Sequence, residues 1–291
     1  MRNKVIKYDS LVVYHNDFNS TINLSNLTVL ESNILFSLIK DFKYDDDQVL
    51  FFWAFSELKD FVKSTNATNE KIVSLIESLK SKIGNKLFVY MEFEYYEDNK
   101  DKIKGLEVEL NLESIRLFKG LKSHFTTFDL EEYKELKSTY SKAIFRLLSQ
   151  FSVIGKLKID YHRFRELLGI PTSYNYAIFN SHILKPSVKE LSSKFKGLSI
   201  ELIKDREDGV LNYKFLVFKF QTFKKVKRLA QYNRNNQEIL AVNKLLKYLS
   251  NSDDDDFFNR ENIITALSEL RLTLDTKDTQ WLNKIRYSAI Y

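Results

Sequence analysis

The sequence predicts an α+β chain of two tandem winged-helix domains followed by a helical C-terminal extension. Three observations carry that expectation. The stretch Thr139 to Phe220 reads in the order helix, strand, helix, turn, helix, hairpin. An earlier stretch, Thr28 to Leu112, repeats that order without residue-level identity. Beyond Thr222 the pattern changes to amphipathic helical stripes. The expected division is 1–125, 126–223 and 224–291.

Residues 1 to 26 are mixed, and only Lys7 to Tyr14 alternates in a way that fits an edge strand. Thr28-Val-Leu-Glu31 is a capping box that opens a helix carrying Leu30, Ile34, Leu38 and Ile39 and ending near Asp41. Val49 to Ala54 reads as a strand, Ser56 to Val62 as a helical segment, and Thr65-Asn-Ala-Thr-Asn69 as a turn. Ile72, Leu75, Ile76 and Leu79 then mark a second helix over Lys71 to Ile83. Leu87 to Tyr96 and Lys104 to Leu112 flank a polar tip and form the hairpin. Ser114 to Tyr140 joins the halves with few flexible residues, and Asp129-Leu-Glu-Glu132 offers another helix start.

The second copy is sharper. Tyr140, Ile144, Leu147, Leu148 and Phe151 recur at helical spacing, Gly155 ends that helix, and Lys156-Leu-Lys-Ile159 alternates like a half-buried strand. Asp160 can cap a helix through Leu168 by accepting exposed backbone N–H groups. Gly169-Ile-Pro171 stops it with a glycine suited to a left-handed C-cap and a proline that cannot continue the ladder. The next helix follows Tyr174 after the short connection of a helix-turn-helix. At about 100° per residue, Tyr176, Phe179, Ile183, Ser187 and Leu191 share one face, and Ser181, His182, Lys185 and Lys189 the other. An apolar back and a polar, basic front suit a recognition helix, with a kink expected at Pro186. Leu198 to Ile203 and Val210 to Phe220 flank Asp208-Gly209, a strong hairpin signal, and make the wing.

Beyond the wing, Lys224, Lys225, Lys227 and Arg228 form a basic cluster, suited equally to a solvated hinge or a backbone-contacting arm. Ile239, Val242, Leu246 and Leu249 mark one amphipathic helix, Ile263, Ile264, Leu267 and Leu270 a second, and Trp281, Leu282 and Ile285 a third. The run Asp253 to Asp256 between them reads as a solvated loop rather than a metal site.

Composition narrows the function. With 44% apolar residues and only two prolines and seven glycines in 291, the chain has ample material for buried cores and short loops. The absence of cysteine excludes disulfides, thiolate nucleophiles and thiolate-ligated zinc. The N-terminus lacks the apolar core of a signal peptide, and Val49 to Phe55, the longest apolar run, falls far short of the ~20 residues that span a bilayer, so a soluble cytoplasmic protein without membrane contact is expected. The net charge of +6 is uneven: residues 1 to 125 carry 17 Lys and Arg against 19 Asp and Glu, whereas residues 126 to 224 carry 17 against 11. Positive charge concentrated on the second winged helix points to a polyanion, against the plainer reading of a basic solvated surface.

Chemistry of other kinds is not supported. The four histidines, His15, His124, His162 and His182, lie far apart in sequence and begin no metal-binding pattern. Gly120-Leu-Lys-Ser123 lacks the glycines and residue order of a phosphate-cradling loop. Glu92 and Glu94 share a strand face without a pocket. A binding protein is therefore expected, with no enzymatic activity, cofactor, metal or catalytic residue.

The run Leu136-Lys-Ser138, Tyr140-Ser141, Arg146-Leu-Leu148, Phe164-Arg-Glu-Leu-Leu-Gly-Ile-Pro171, Tyr174, Phe179, Leu184-Lys-Pro186 and Lys189-Glu-Leu191 resembles the replication initiator (Rep) proteins of iteron-bearing bacterial plasmids. The resemblance spans roughly residues 25 to 222 and is most specific in its second half. It implies two winged helices related by pseudo-symmetry, monomers on double-stranded origin repeats, and dimers that repress the chain's own promoter through residues 1–125. It also implies opening of AT-rich DNA and recruitment of a host initiator and replicative helicase. Asn180, Ser181 and His182 stand where the family usually carries basic residues.

On this reading Arg163, Arg165 and the wing residue Lys204 or Arg206 contact phosphates, which fix register without reading sequence. Tyr174 and Asn175 lie where the recognition helix enters the groove, Asn175, Ser181, His182 and Lys185 face base edges, and Lys189 lies beyond them on the same helix face. Tyr174 also suits simple packing of the turn. Three rivals share parts of the pattern: a winged-helix transcriptional regulator that initiates nothing, an origin nickase or relaxase, which would need metal-dependent cleavage, and an adaptor working through its C-terminal helices.

Overall fold

A computed structural model describes residues 10–42, 49–62, 68–121, 124–207 and 210–222, with backbone alone at 206, 207, 210 and 211. The expected turn at Thr65, the Asp208-Gly209 tip and the helical extension 224–291 lie wholly or partly outside these residues.

The first described elements are β1 (Leu11–His15) and the short α1 (Phe18–Thr21). The first winged helix follows: α2 (Val29–Asp41), β2 (Leu50–Ala54), α3 (Phe55–Val62), α4 (Asn69–Leu79), a π turn over Lys80–Gly84, α5 (Asn85–Leu87), β3 (Phe88–Tyr95) and β4 (Ile103–Leu110). Its sheet runs β2-β4-β3, all antiparallel. The capping box forms as read: Thr28 Oγ1 accepts from Glu31 N at 3.3 Å, and Glu31 Oε2 accepts from Thr28 N at 2.6 Å. Glu31 is buried and also accepts from Ser78 Oγ at 2.6 Å and Lys82 Nζ at 2.7 Å. Burial pushes its carboxyl up, but the hydrogen bonds from Lys82, Ser78 and Thr28 outweigh that and hold it below the usual carboxylate range.

The connection comprises α6 (Leu112–Phe118), β5 (Phe125–Asp129) and α7 (Leu130–Lys134). Asp129 caps α7 by accepting from Glu131 N and Glu132 N. Residues 10 to 26 carry more structure than their sequence announces, because β1 pairs antiparallel with β5, from Leu11 opposite Asp129 to His15 opposite Phe125. The division expected between residues 125 and 126 therefore falls inside a strand. This pairing also brings His15 and His124, remote in sequence, to a ring separation of 6.4 Å. Among the described residues no group of three or more His, Asp and Glu is placed to hold a metal ion.

The second winged helix repeats the first: α8 (Thr139–Gln150), β6 (Lys156–Asp160), α9 (Tyr161–Leu168), α10 (Tyr176–Phe179), a π turn over Asn180–Leu184, α11 (Lys185–Leu191), β7 (Ser199–Glu207) and β8 (Val210–Lys219). Its sheet order, β6-β8-β7, matches β2-β4-β3. The first strands are each five residues long, and α3 and α9 are each eight. Side chains of both copies join one continuous core. Aromatic contacts string it together, from Tyr14 to Phe128 (6.0 Å), Phe145 (5.4 Å), Phe195 (5.4 Å) and Phe220 (5.1 Å). No described helix is long and apolar enough to cross a membrane.

Candidate nucleic-acid interface

Local chemistry builds the helix-turn-helix. Asp160 Oδ1 accepts from His162 N and Arg163 N at 2.9 and 2.8 Å and starts α9. Gly169 ends it in the left-handed conformation, φ 63°. There an added Cβ would lie 2.5 Å from Ser25 Cβ, so glycine is required both by conformation and by the close approach of the α1–α2 loop. Asn175 Oδ1 accepts from Ile178 N at 3.0 Å and caps the recognition helix.

Just ahead of Pro186, where a kink is expected, that helix widens: Lys185 N donates to Asn180 O across five residues. The π turn supplies the room that the proline ring takes from the preceding carbonyls, and Pro186, which has no N–H to place, begins α11. The two faces separate as the period requires. Phe179, Ile183, Ser187 and Leu191 are buried, whereas Ser181, His182, Lys185 and Lys189 are exposed.

The expected contact residues fall into two groups. Lys185 and Lys189 project from the exposed face, and Arg163 is half exposed on α9, its guanidinium 3.2 Å from Glu166 Oε2 and 3.4 Å from Ser20 O. Others are engaged by the fold. Arg165 donates to Tyr161 OH at 3.0 Å and Pro171 O at 2.8 Å, stapling α9 to the turn. Tyr174 packs against the core, as its simpler reading had it. Ser181 Oγ donates back to Ala177 O at 2.8 Å and lies 2.9 Å from His182 Nδ1, so these two polar groups answer each other and the helix backbone. Lys204 is exposed on β7, and Arg206 lies further along that strand, opposite Leu211.

Two residues outside the expected set join this surface. The ring of Tyr176, at the start of the recognition helix, stacks on Tyr213 of the wing at 4.9 Å and 23°, and Tyr213 lies 5.2 Å from Tyr161. Lys204 Nζ stands over both, 5.9 Å from the Tyr176 ring and 5.7 Å from that of Tyr213. Burial, with Tyr213 and Tyr161 alongside, raises the Tyr176 hydroxyl pKa. Helical period alone assigns Tyr176 to packing, and strand alternation gives Tyr213 no link to it.

The first winged helix offers a different surface. Lys82, in its π turn, is bound to buried Glu31, and the outward sheet face carries Glu92, Glu94, Glu107 and Glu109 beside exposed Leu50 and Phe52. Lys80 and Lys104 pair with Glu92 and Glu94 there, leaving a face still net acidic that disfavours close phosphate approach.

Comparisons with known proteins agree with this architecture. Residues 11–149 match the family model described as "Initiator Replication protein, WH1", and residues 161–228 match that described as "Initiator Rep protein, WH2". A "Probable replication protein rep" of Bifidobacterium longum (strain NCC 2705) is 25% identical over 213 residues, which cover 69% of this chain and 68% of the relative. A crystal structure of Pi initiator protein in complex with iteron DNA shares the fold with a TM-score of 0.54 at 15% identity, covering 75% of this chain and all of that one.

Proposed function

This chain belongs to the initiator replication protein family, and we propose that it initiates replication by binding double-stranded, directly repeated origin sequences through its second winged helix. The observation that carries this reading is the recognition helix, which buries Phe179, Ile183, Ser187 and Leu191 and turns Lys185 and Lys189 to solvent. In this assignment Lys185 and Lys189 reach base edges in the major groove, where the amide of Asn175 and the polar pair Ser181 and His182 border them. Arg163, Lys204 and Arg206 contact backbone phosphates. Arg165 and Tyr174 act indirectly, by holding the turn. The iteron DNA in the Pi initiator structure supports the choice of ligand.

The first winged helix, with its acidic face, serves dimerisation and auxiliary contacts, and the dimer represses the chain's own gene. Binding energy rather than catalysis opens adjacent AT-rich DNA, and a host initiator and replicative helicase then assemble there.

Selection from a plasmid DNA library at ~150 mM salt tests the reading, because loose phosphate attraction is largely suppressed there. Tandem repeats beside an AT-rich stretch are expected. A single promoter palindrome, or no enrichment, refutes origin recognition. On the recovered site, Lys185→Ala should weaken specific binding by roughly 1–3 kcal/mol and leave nonspecific binding nearly unchanged, whereas equal losses on both would remove Lys185 from the base-reading set.

A further inference from the structure

The two winged helices carry the same irregularity in the same place. In the second wing the register steps from Ile203 opposite Phe215 to Lys204 opposite Tyr213, which leaves Lys214 as an extra residue on β8. In the first wing it steps from Glu94 opposite Gly105 to Tyr95 opposite Ile103, which leaves Lys104 as an extra residue on β4. Such a bulge rotates the residues beyond it relative to the sheet. In the second copy the rotated residue is Tyr213, and it meets Tyr176.

The first copy shows what the backbone does without those rings. The residue opening α9 is Tyr161, and the one opening α3 is Phe55; the residue opening α10 is Tyr176, and the one opening α4 is Asn69. Ile103 stands where Tyr213 does, and Tyr95 where Lys204 does. With the rings absent, a groove of about 900 Å³ opens between α4 and the first wing, lined among others by Phe55, Asn69 and Ile103. The fold, the bulge and the eight-residue length of the preceding helix survive this. The tyrosine stack is therefore not something the winged-helix backbone requires, and its distinctive companion is the cation above it.

We infer that Tyr176 and Tyr213 are positioning residues for DNA binding, whose stacked rings tie the start of the recognition helix to the wing and hold the Lys204 ammonium at the junction for a backbone phosphate. An exposed lysine otherwise samples many rotamers that phosphate contact must freeze, and the negative faces of two rings narrow that choice in advance. The inference rests on the second winged helix being the DNA-reading copy.

The test uses the full chain and a fluorescent ~30-base-pair random-sequence duplex, with affinity followed from ~50 to ~200 mM KCl. Tyr213→Ile and Tyr176→Asn install the first copy's own residues, which that copy folds around. Lys204→Ala should remove one phosphate contact, so that its affinity falls about threefold less over this salt range than the parent chain's. Tyr213→Ile and Tyr176→Asn should reproduce that flatter dependence, Tyr213→Phe should retain the parent's, and adding Lys204→Ala to Tyr213→Ile should change nothing more. A parent-like salt dependence in either ring variant, with an unaltered thermal melt, overturns the inference, as does a parent-like dependence in Lys204→Ala. Failure of the parent chain to bind duplex at all overturns the DNA-reading assignment itself, and the inference with it. Should one ring variant fail to fold, the other decides by the same criterion.

Discussion

Replacing Lys142 with methionine isolates an unusual feature of the seam between the two winged helices. Lys142 lies on α8 with 1% of its surface exposed; its Nζ donates to Asn33 Oδ1 of α2 at 2.8 Å and to Tyr133 O of α7 at 2.6 Å, and stands 3.9 Å from the Tyr133 ring. Both acceptors are neutral. Burial pushes the ammonium down to about 7, with Glu190 of α11 opposing and Lys134 and Arg146 reinforcing the shift. Between about 7 and the ordinary 10.5 the unfolded chain binds a proton that the folded chain does not, so stability rises with pH across that window. The full span corresponds to about 5 kcal/mol, and the part falling between about pH 7 and about pH 9 to about 2 kcal/mol. Urea unfolding at those two pH values should therefore show the native chain gaining about 2 kcal/mol relative to Lys142→Met on going to the higher pH. An identical pH dependence in both chains would refute the reasoning, because it would mean that the buried amine is not losing its proton.

Two further outcomes follow from contacts already described. Gly169→Ala should destabilise by about 2 kcal/mol or more, since it combines a left-handed residue with a Cβ pressed on Ser25, and adding Ser25→Gly should restore only the steric part of the thermal midpoint. Glu31→Gln should cost about 1–3 kcal/mol at neutral pH; because the folded carboxyl lies below its usual range, that difference should shrink as pH falls through the folded value, which acid titration of unfolding would follow.

What was legible in the sequence was local. The Thr28 box, the Asp160 cap and the Gly169 stop each depend on residues within about two helical turns of one another and appear in the structure as the sequence predicts; the two faces of the recognition helix separate likewise, except that Tyr176, expected on the apolar side, is only partly buried and meets Tyr213. The failures share a different cause. Nothing near Leu11 announces that its partner is Asp129. The extra residues Lys104 and Lys214 leave ordinary alternation on either side, so the rotation of Tyr213 is invisible until the partner strand is in place. Pro186 signals a disturbance in the sequence, but the widened turn before it also occurs without proline, over Lys80–Gly84 of the first copy, and no residue pattern announces it.

The ladder between β1 and β5 has a consequence for how the chain is made. Leu11, Val12, Val13 and Tyr14 are buried in the finished protein, yet the strand they pair with begins only at Phe125. At ~5–20 residues per second, Leu11 waits roughly 6–24 s on the ribosome before Asp129 has been added. Throughout that interval an apolar strand lacks its partner, and a polypeptide ending before Phe125 would lack it permanently, with the aggregation hazard of an open edge. A fragment that keeps β1 therefore needs to be carried through Asp129, into residues that the sequence assigns to the neighbouring domain.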